Sequence, residues 1–503
     1  MTQTLEQIQN FKGKYPKQIW SLFFSEMWER FCFYGMRGML VFFMISQLNL
    51  QEEQANLQYG ATQAFVYAFT FVGGLFADKI LGFRKSLFWG GLLMIAGSLI
   101  LATDPHKFFF LGIAFTVVGT GFFKPNISSM VGQLYKPNDS RADAGFSLFY
   151  AGINLGALLG GYLCIAIGKG ELLAGVIPEE LRWNIAFGLA AVVMCISLIN
   201  FVLTQKSLGT IGLQPGHPLA EVQTAAITKW KEYGVYFLSL LFIPVIMIMV
   251  AKTEYTDYFM YTIGPLTLIY LFYEMSRVTA AERKKLWAAL IFILFSILFW
   301  GIYEQSGGSL SIFAAKNLNN DLLGLDPNGV NNSGGAFFII FLAPLLGLLW
   351  IWLSKRKMEP NTIIKFGLGF IFLGLGFYTL FATKFFAGPD GVTSLRFFTI
   401  ALLIITFGEL CLSPIGLSIM TKLSTKNLQG MMMGLWFLAS AYGQYVAGII
   451  GANMATAKSG TSNLDALITY AEGYKQLSVY AIVAGIILII ISPLLKKLMQ
   501  EVR

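Results

Sequence analysis

The sequence predicts an all-α membrane protein with fourteen membrane-spanning helices. Of its 503 residues, 56% are hydrophobic and only 13% are charged, whereas a soluble domain carries about 25% charged residues. Apolar segments of about 20 residues recur along the whole chain, and each is long enough to cross ~30 Å of hydrocarbon as a helix. The lysines and arginines lie mostly in short tracts between these segments, which is the pattern of membrane topology.

Polar or charged residues bound each apolar run and so set the limits of the predicted spans. The eighth run is short and rich in tyrosine, so by length alone twelve or thirteen spans would also fit. The predicted spans are residues 19–46, 57–77, 86–103, 108–133, 143–168, 183–204, 233–251, 258–273, 286–306, 335–354, 362–383, 397–420, 430–455 and 476–495.

Charge bias selects fourteen spans with both termini in the cytoplasm. Cytoplasmic loops hold the excess of lysine and arginine in membrane proteins. With the N-terminus inside, the basic tracts at 12–17, 79–85, 283–285 and 355–357 all fall on the cytoplasmic side. An odd number of spans would reverse the second half of the chain and spoil this agreement.

Two long polar stretches suggest how the spans are grouped. We interpret residues 1–204 and 286–503 as two six-helix bundles, and residues 205–285 as a cytoplasmic linker with two inserted membrane helices. Two halves that rock around a central site form the architecture of alternating access.

The composition argues against several other classes of protein. The net charge is +9, but the basic residues do not form the aromatic-interleaved patch of a nucleic-acid-binding surface. The four cysteines fall inside apolar segments without metal-ligand spacing, so we expect no metal site. Residues 1–17 are polar and lack the apolar core of a signal peptide, so we expect the first span to direct its own insertion.

Among the ionisable residues inside predicted spans, seven are candidates for a polar central cavity. Each costs on the order of 3 kcal/mol near the bilayer centre, so such residues normally face a bundle interior or an aqueous cavity. The alternative is a purely structural ion-pair network, because Glu26 and Arg30 are spaced for pairing on one helix face. The seven residues are Glu26, Glu29, Arg30, Arg37, Lys124, Glu304 and Glu409.

The balance of these charges predicts a proton carrier. Four carboxylates face three cations, so one glutamate has reason to hold a proton in a low-dielectric interior. His106 and His217 both lie in loops, so a carboxylate must titrate instead. Pro125, directly after Lys124, is expected to interrupt the fourth span.

Three segments carry a resemblance to a known family: residues 26–35 (EMWERFCFYG), residues 149–156 (FYAGINLG) and residues 74–84 (GLFADKILGFR). The first two resemble the helix-one and helix-five signatures of the proton-dependent oligopeptide transporters, a branch of the major facilitator superfamily. The third resembles the superfamily's loop between helices two and three. The resemblance covers nearly the whole chain and implies the major facilitator fold, with the two inserted helices of the bacterial members.

The resemblance also implies a role for individual residues. Arg30 and Lys124 match the cations that bind the peptide carboxylate, and Glu409 and Asn154 match the groups that face its amino end. Proton coupling is implied for Glu26, Glu29, Arg30 and Lys124, and an extracellular gate for Arg37 with Glu304. The implied pocket-lining residues are Tyr34, Tyr67, Trp300, Trp436 and Ser413.

Two positions depart from the family pattern. The family often has Phe-Gln-x-x-Asn at the start of helix ten, where this chain has Asn331, Asn332 and then Ser-Gly-Gly335. An amide contact to the peptide amine is therefore missing at position 335. Gln444 stands where an asparagine is common.

We therefore expect a monomeric importer of di- and tripeptides in the bacterial cytoplasmic membrane, driven by the proton gradient without a cofactor. A second hypothesis keeps the fold but changes the substrate to another small organic solute or to an anion such as nitrate. Glu409 together with Arg30 and Lys124 suits a zwitterion better. A third hypothesis is a membrane-embedded enzyme, but the spans lack histidine, a His-Glu-x-x-His pattern and a Ser/Lys dyad.

Overall fold

A computed structural model shows a protein built almost entirely from helices. It describes residues 4–136, 139, 141–217, 229–412, 416–424, 428–455 and 462–500. Within these ranges the β-type pairing is a single isolated bridge between Leu318 and Thr393. The predicted all-α class is confirmed.

Seventeen α-helices form in the described part of the chain, together with short 3-10 turns and one π-helical turn. They are α1 Leu5–Gln9, α2 Gln18–Ser46, α3 Glu52–Phe76, α4 Phe83–Thr103, α5 Pro105–Gln133, α6 Ala142–Lys169, α7 Arg182–Thr204, α8 Lys229–Ala251, α9 Thr253–Arg277, α10 Ala280–Tyr303, α11 Ser309–Asn317, α12 Pro327–Lys355, α13 Thr362–Ala382, α14 Leu395–Leu412, α15 Gly416–Leu423, α16 Gln429–Asn453 and α17 Asn463–Met499.

Each of the fourteen predicted spans overlaps helical residues in the described part of the chain. In the described residues, twelve helical spans are long and apolar enough to cross a membrane. The other two, α2 and α9, are helices of 29 and 25 residues, and both contain charged side chains. At 1.5 Å per residue each still exceeds ~30 Å in length. The placement of both termini in the cytoplasm stays a prediction.

One local prediction about a helix break was wrong. Helix α5 continues through Pro125, and its backbone departs from helical angles at Phe108 instead. The ninth span, predicted at 286–306, corresponds to α10, which ends at Tyr303; a 3-10 turn then covers Glu304–Gly307, and α11 follows. The two consecutive glycines at 307 and 308 favour this break because they lower helix propensity.

The chain divides into two compact units. The first contains Met1–Leu40 and Phe65–Ala251, and the second contains Val41–Ala64 and Lys252–Arg503. The first unit therefore includes α8, while the second includes α9 and the first turns of α3. The division into halves at 1–204 and 286–503 with an insertion at 205–285 stays a prediction.

Glycines bring the helices of the first unit into backbone contact. A Cβ placed on Gly90 of α4 would lie 2.5 Å from the carbonyl oxygen of Gly119 in α5, and one on Gly97 would lie 2.6 Å from that of Gly112. Small residues at helix crossings allow this close approach, which favours association of helices in lipid. Tight packing of α4 against α5 thus follows from the glycine spacing.

Glycines also allow close helix contacts around α13 in the second unit. A Cβ on Gly369 would lie 2.9 Å from the carbonyl oxygen of Gly408 in α14, and one on Gly374 would lie 2.9 Å from that of Ser478 in α17. Helix α13 therefore packs directly on both α14 and α17. This packing fixes the position of α14, which carries Glu409.

Each inserted helix is anchored within its own unit. In the first unit, Nε1 of Trp89 in α4 donates to Oγ of Ser239 in α8 over 2.9 Å. In the second unit, the hydroxyl of Tyr445 in α16 donates to Oδ1 of Asp257 in α9 over 2.6 Å. The two helices are therefore attached to different helix groups although Lys252 alone separates them in sequence.

Candidate functional site

A charged network lies buried on α2 in the first unit. Arg30 is 2% exposed, and Glu26 and Glu29 are 1% and 0% exposed. Nη2 of Arg30 donates to Oε1 of Glu29 over 2.6 Å, and Nε donates to the other oxygen of Glu29. The same Nε lies 3.2 Å from Oε1 of Glu26. The guanidinium of Arg30 thus contacts two carboxylates. Oε2 of Glu26 has no hydrogen-bond partner among the described residues.

Three glycines on one face of α6 allow α2 to approach closely enough to enclose this network. Gly152, Gly156 and Gly160 are spaced four residues apart, which places them on one side of the helix. A Cβ on Gly156 would lie 2.0 Å from the carbonyl oxygen of Met27 and 2.9 Å from Cβ of Arg30. The backbone beside Arg30 is therefore in direct contact with α6, which excludes water from that side.

Lys124 on α5 is the next cation of the same unit. Its Nζ lies 4.6 Å from the centre of the Tyr67 ring on α3. Lys124 also interacts electrostatically with Glu26 and Glu29. A cation over a desolvated aromatic ring contributes roughly 0.5–2 kcal/mol. The ring therefore helps to hold a lysine at membrane depth beside two acidic groups.

Aromatic rings also contact both arginines of α2. The guanidinium of Arg30 lies 5.1 Å from the centre of the Phe33 ring, and that of Arg37 lies 5.6 Å from the centre of the Tyr34 ring. Planar guanidinium groups suit such contacts because they are weakly hydrated. Tyr34 and Arg37, predicted as a pocket residue and a gate residue, are thus brought together.

Asn154 on α6 is buried, and its amide is partly used within its own helix. Nδ2 of Asn154 donates to the carbonyl oxygen of Tyr150 over 2.9 Å. The amide oxygen is therefore the atom suited to accept a hydrogen bond from a ligand amine. Its predicted role at the peptide amine has the required chemistry.

Glu409 on α14 is the buried carboxylate of the second unit, with 8% exposure. The hydroxyl of Tyr303 at the end of α10 donates to its Oε2. Sequence reasoning singled out Glu409 but missed Tyr303. Only its position beside Glu304 could have drawn attention to it, because an aromatic residue in a membrane helix carries no distinct signal.

Glu304 lies at the break between α10 and α11 and is 5% exposed. The neighbouring Gln305 secures the break: its Nε2 donates to the carbonyl oxygens of Gly301 and Ala447, both over 3.0 Å. Oγ of Ser309 donates to Oε1 of Gln305 over 2.7 Å. The irregular backbone at membrane depth is therefore satisfied by buried amide and hydroxyl groups.

Two further predicted pocket residues, Trp300 and Trp436, lie in the second unit. Trp436 is 7% exposed, and Trp300 packs on Gly443, where a Cβ would lie 2.6 Å from Cβ of Trp300. Gln444 is buried, and its Oε1 has no hydrogen-bond partner in the described part of the chain. Ser413 lies outside the described residues.

Within each unit, the structure brings together some of the residues predicted to form the site. It brings Glu26, Glu29 and Arg30 together and places Lys124 on Tyr67. Pairings between residues of different units, such as the gate of Arg37 with Glu304, stay predictions. Over the described ranges, no three histidine, cysteine or acidic side chains are grouped to hold a metal ion.

Curated relatives match this chain over nearly its whole length. A peptide transporter, YePEPT, of Yersinia enterocolitica subsp. palearctica is 32% identical, with 97% of this chain and 96% of the relative covered. Dipeptide and tripeptide permease B of Xenorhabdus bovienii is 29% identical, with 97% of both chains covered. The Di-/tripeptide transporter of Lactococcus lactis subsp. cremoris is 30% identical, again with 97% of both covered.

Solved structures and a family model agree with these relatives. A crystal structure of peptide transporter POT in complex with sulfate matches with a TM-score of 0.80 and 32% identity, over 99% of this chain and 100% of that one. A mutant of peptide transporter POT in complex with alafosfalin matches with a TM-score of 0.81 and 32% identity, over the same shares. The model of the POT family matches residues 84–466. The chain therefore belongs to the POT family.

Proposed function

We propose that this chain is a proton-coupled symporter that imports di- and tripeptides by alternating access. Two observations together support the proposal. Arg30 forms a buried charged network with Glu26 and Glu29, and the chain is similar over nearly its whole length to proteins named as peptide transporters. As a POT family member, the chain is a multi-pass membrane transporter and not an enzyme. Its bacterial relatives, and the twelve membrane-compatible helical spans among the described residues, agree with a location in the cytoplasmic membrane.

A zwitterionic peptide suits the charges of the two units. Its carboxylate would bind Arg30 and Lys124, a planar fork and a point charge. Its ammonium group would bind Glu409 and the amide oxygen of Asn154. Its side chains would contact the residues predicted to line the pocket, namely Tyr34, Tyr67, Trp300, Trp436 and Ser413.

Proton coupling would arise from competition for Arg30. The guanidinium contacts both Glu26 and Glu29, so a peptide carboxylate that takes part of its hydrogen-bonding capacity leaves one glutamate with less compensation. Protonation of that glutamate removes a buried negative charge that would otherwise be costly. Peptide and proton would then bind together, with the proton gradient as driving force, no cofactor and a monomer as the working unit.

Closure of the extracellular side is proposed to involve Arg37 and Glu304. The Arg37 guanidinium lies beside the Tyr34 ring, and Glu304 is buried at the break after α10. An arginine and a glutamate that pair only in one conformation would favour that conformation by their differential contact.

Uptake into proteoliposomes tests substrate and coupling together. Under an inward proton gradient the wild type should accumulate labelled dialanine, and Glu26→Gln or Glu29→Gln should abolish accumulation while peptide counterflow persists. Glu53→Gln is the matched control because Glu53 is exposed on α3. Full gradient-driven accumulation by both network variants would contradict the coupling.

Competition distinguishes the peptide hypothesis from transport of a simple anion. Unlabelled di- and tripeptides should suppress dialanine uptake, whereas nitrate and organic acids should not, because they lack an ammonium group for Glu409. Strong inhibition by nitrate with weak inhibition by tripeptides would favour the anion alternative.

A further inference from the structure

The hydroxyl of Tyr303 is aimed at the carboxylate that the proposed function assigns to the peptide amine. It donates to Oε2 of Glu409. Both residues belong to the second unit, on α10 and α14. Because Glu409 is only 8% exposed, each hydrogen bond that it accepts weighs heavily in the orientation of its carboxylate.

Neighbouring aromatic rings hold the Tyr303 ring in place. The Phe299 ring stacks on it with centroids 5.9 Å apart and an angle of 12° between the planes. The Trp300 ring meets it edge to face at 5.3 Å and 86°. Aromatic pairs in these arrangements contribute roughly 0.5–1.5 kcal/mol each. The hydroxyl is therefore presented to Glu409 from a preorganised ring.

Gly335 on α12 leaves room beside this hydroxyl. A Cβ placed on Gly335 would lie 3.8 Å from the Tyr303 oxygen, which is ordinary van der Waals contact. The Cβ itself would fit, but an amide one bond further along a side chain would reach the place that the hydroxyl occupies. The Tyr303 hydroxyl and an amide at position 335 are therefore alternative polar groups for one place next to Glu409.

We propose that Tyr303 is a positioning and specificity-determining residue for the amino end of the peptide, and that its hydroxyl fills the place of the amide missing at position 335. This inference rests on the proposed function. An ionised carboxylate offers about four lone-pair sites. Tyr303 occupies one of them and helps to orient the carboxylate plane toward the ammonium group of a peptide with a free N-terminus.

The inference predicts a selective loss when the hydroxyl is removed. Tyr303→Phe keeps the stacked ring but removes the hydrogen bond that helps to orient the Glu409 carboxylate. The concentration of dialanine that half-inhibits uptake of a labelled dipeptide should rise about tenfold, the size of one hydrogen bond to a charged group. N-acetyl-dialanine has no ammonium group, so its inhibition should not change. The preference for the free amine should therefore collapse.

A second substitution tests whether the two polar groups are alternatives. Adding Gly335→Asn to Tyr303→Phe places an amide in the vacated space and should restore most of the preference for the free amine. The matched control is Tyr378→Phe, because Tyr378 is 53% exposed on α13, and it should leave both inhibitors unchanged. Melting temperatures of the detergent-purified variants establish that each is folded.

The possible results separate this inference from the proposed function. An unchanged preference in Tyr303→Phe, or equal weakening of both inhibitors, would overturn the role of Tyr303 while dipeptide uptake by the wild type stands. Failure of the double variant to regain preference would overturn the exchange of hydroxyl for amide. A wild type that takes up no dipeptide would reject the proposed function and this inference with it.

Discussion

Removal of the Arg30 guanidinium should destabilise the protein far more than removal of either carboxylate that it contacts. In Arg30→Met, two carboxylates with exposures of 1% and 0% lose the cation that both contact. Helix α6 packs on this part of α2, where a Cβ on Gly156 would lie 2.9 Å from Cβ of Arg30. Water therefore cannot easily replace the lost hydrogen bonds from that side.

The structure sets the relative size of the effects. Breaking a buried pair by removing one partner costs about 3–5 kcal/mol, because an uncompensated charge stays behind. Glu26→Gln should cost only about 1 kcal/mol, the size of one ordinary hydrogen bond, because the contacts between Arg30 and Glu29 remain. The triple variant Glu26→Gln, Glu29→Gln, Arg30→Met has no buried charge at these positions and should recover most of the loss.

Thermal unfolding of the detergent-purified proteins, followed by intrinsic tryptophan fluorescence, measures this order. We expect the wild type and Glu26→Gln to melt close together, Arg30→Met to melt far below them, and the triple variant to lie between these extremes. A melting temperature of Arg30→Met equal to that of Glu26→Gln would refute the reasoning. So would a triple variant no more stable than Arg30→Met.

Three further changes test packing, an exposed ion pair and the anchoring of α9. Gly156→Ala should lower the free energy of unfolding by about 1–3 kcal/mol through overpacking. Gly234→Ala is the control: no atom lies within 4 Å of a Cβ at that position, so it should be neutral or stabilising by up to about 1 kcal/mol. Melting temperatures of the two variants measure the difference. Hydrogen bonds from Arg141 lower the pKa of Asp139 from 3.8 to about 2. The contact between Asp139 and Arg141 should therefore stabilise the folded protein above pH ~4, and this stabilisation should be lost as the pH falls through about 2. The difference in melting temperature between wild type and Asp139→Asn should shrink accordingly, and a constant difference would argue against the contact. Tyr445→Phe removes the hydroxyl that binds an aspartate of α9 and should cost about 1–2 kcal/mol; an unchanged urea midpoint would show that this bond does not anchor α9.

The fold was predictable because lipid imposes strong constraints on sequence. Spans must be apolar and helical, so hydropathy located the long helices of the described part of the chain, including the tyrosine-rich α9. The ends were less accurate: the last span was predicted at 476–495, whereas α17 extends from Asn463 to Met499. Hydropathy marks the part of a helix suited to the hydrocarbon, and the helix continues beyond it into polar surroundings.

Helix breaks were harder to predict because they depend on tertiary contacts. A proline removes one backbone donor and crowds the carbonyl four residues earlier, yet α5 passes through Pro125 unbroken. The residue four positions earlier is Gly121, which packs against Gly73 of α3. A Cβ placed on Gly73 would lie 2.1 Å from the carbonyl oxygen of Gly121. Conversely, the break at Glu304 is held by Gln305, whose partner Ala447 lies far along the chain.

The candidate site was predictable by residue type more than by partner. Charges inside apolar spans stand out, and the spacing of Glu26 and Arg30 anticipated their contact at 3.2 Å. Helical geometry did not anticipate the tighter contact of Arg30 with Glu29, because adjacent residues point about 100° apart; the long arginine side chain folds back to reach it. Tyr303 could not be found from periodicity at all.

The buried carboxylates of the two units accept hydrogen bonds from different kinds of donor, and this difference bears on how peptide binding couples to the proton. Glu29 accepts two hydrogen bonds from a permanent cation, Arg30, whereas Glu409 accepts from the neutral hydroxyl of Tyr303. A charged donor contributes roughly twice as much as a neutral one. A peptide carboxylate that binds Arg30 must share this guanidinium with Glu26 and Glu29. The carboxyl end of the peptide should therefore be the end that couples transport to the proton.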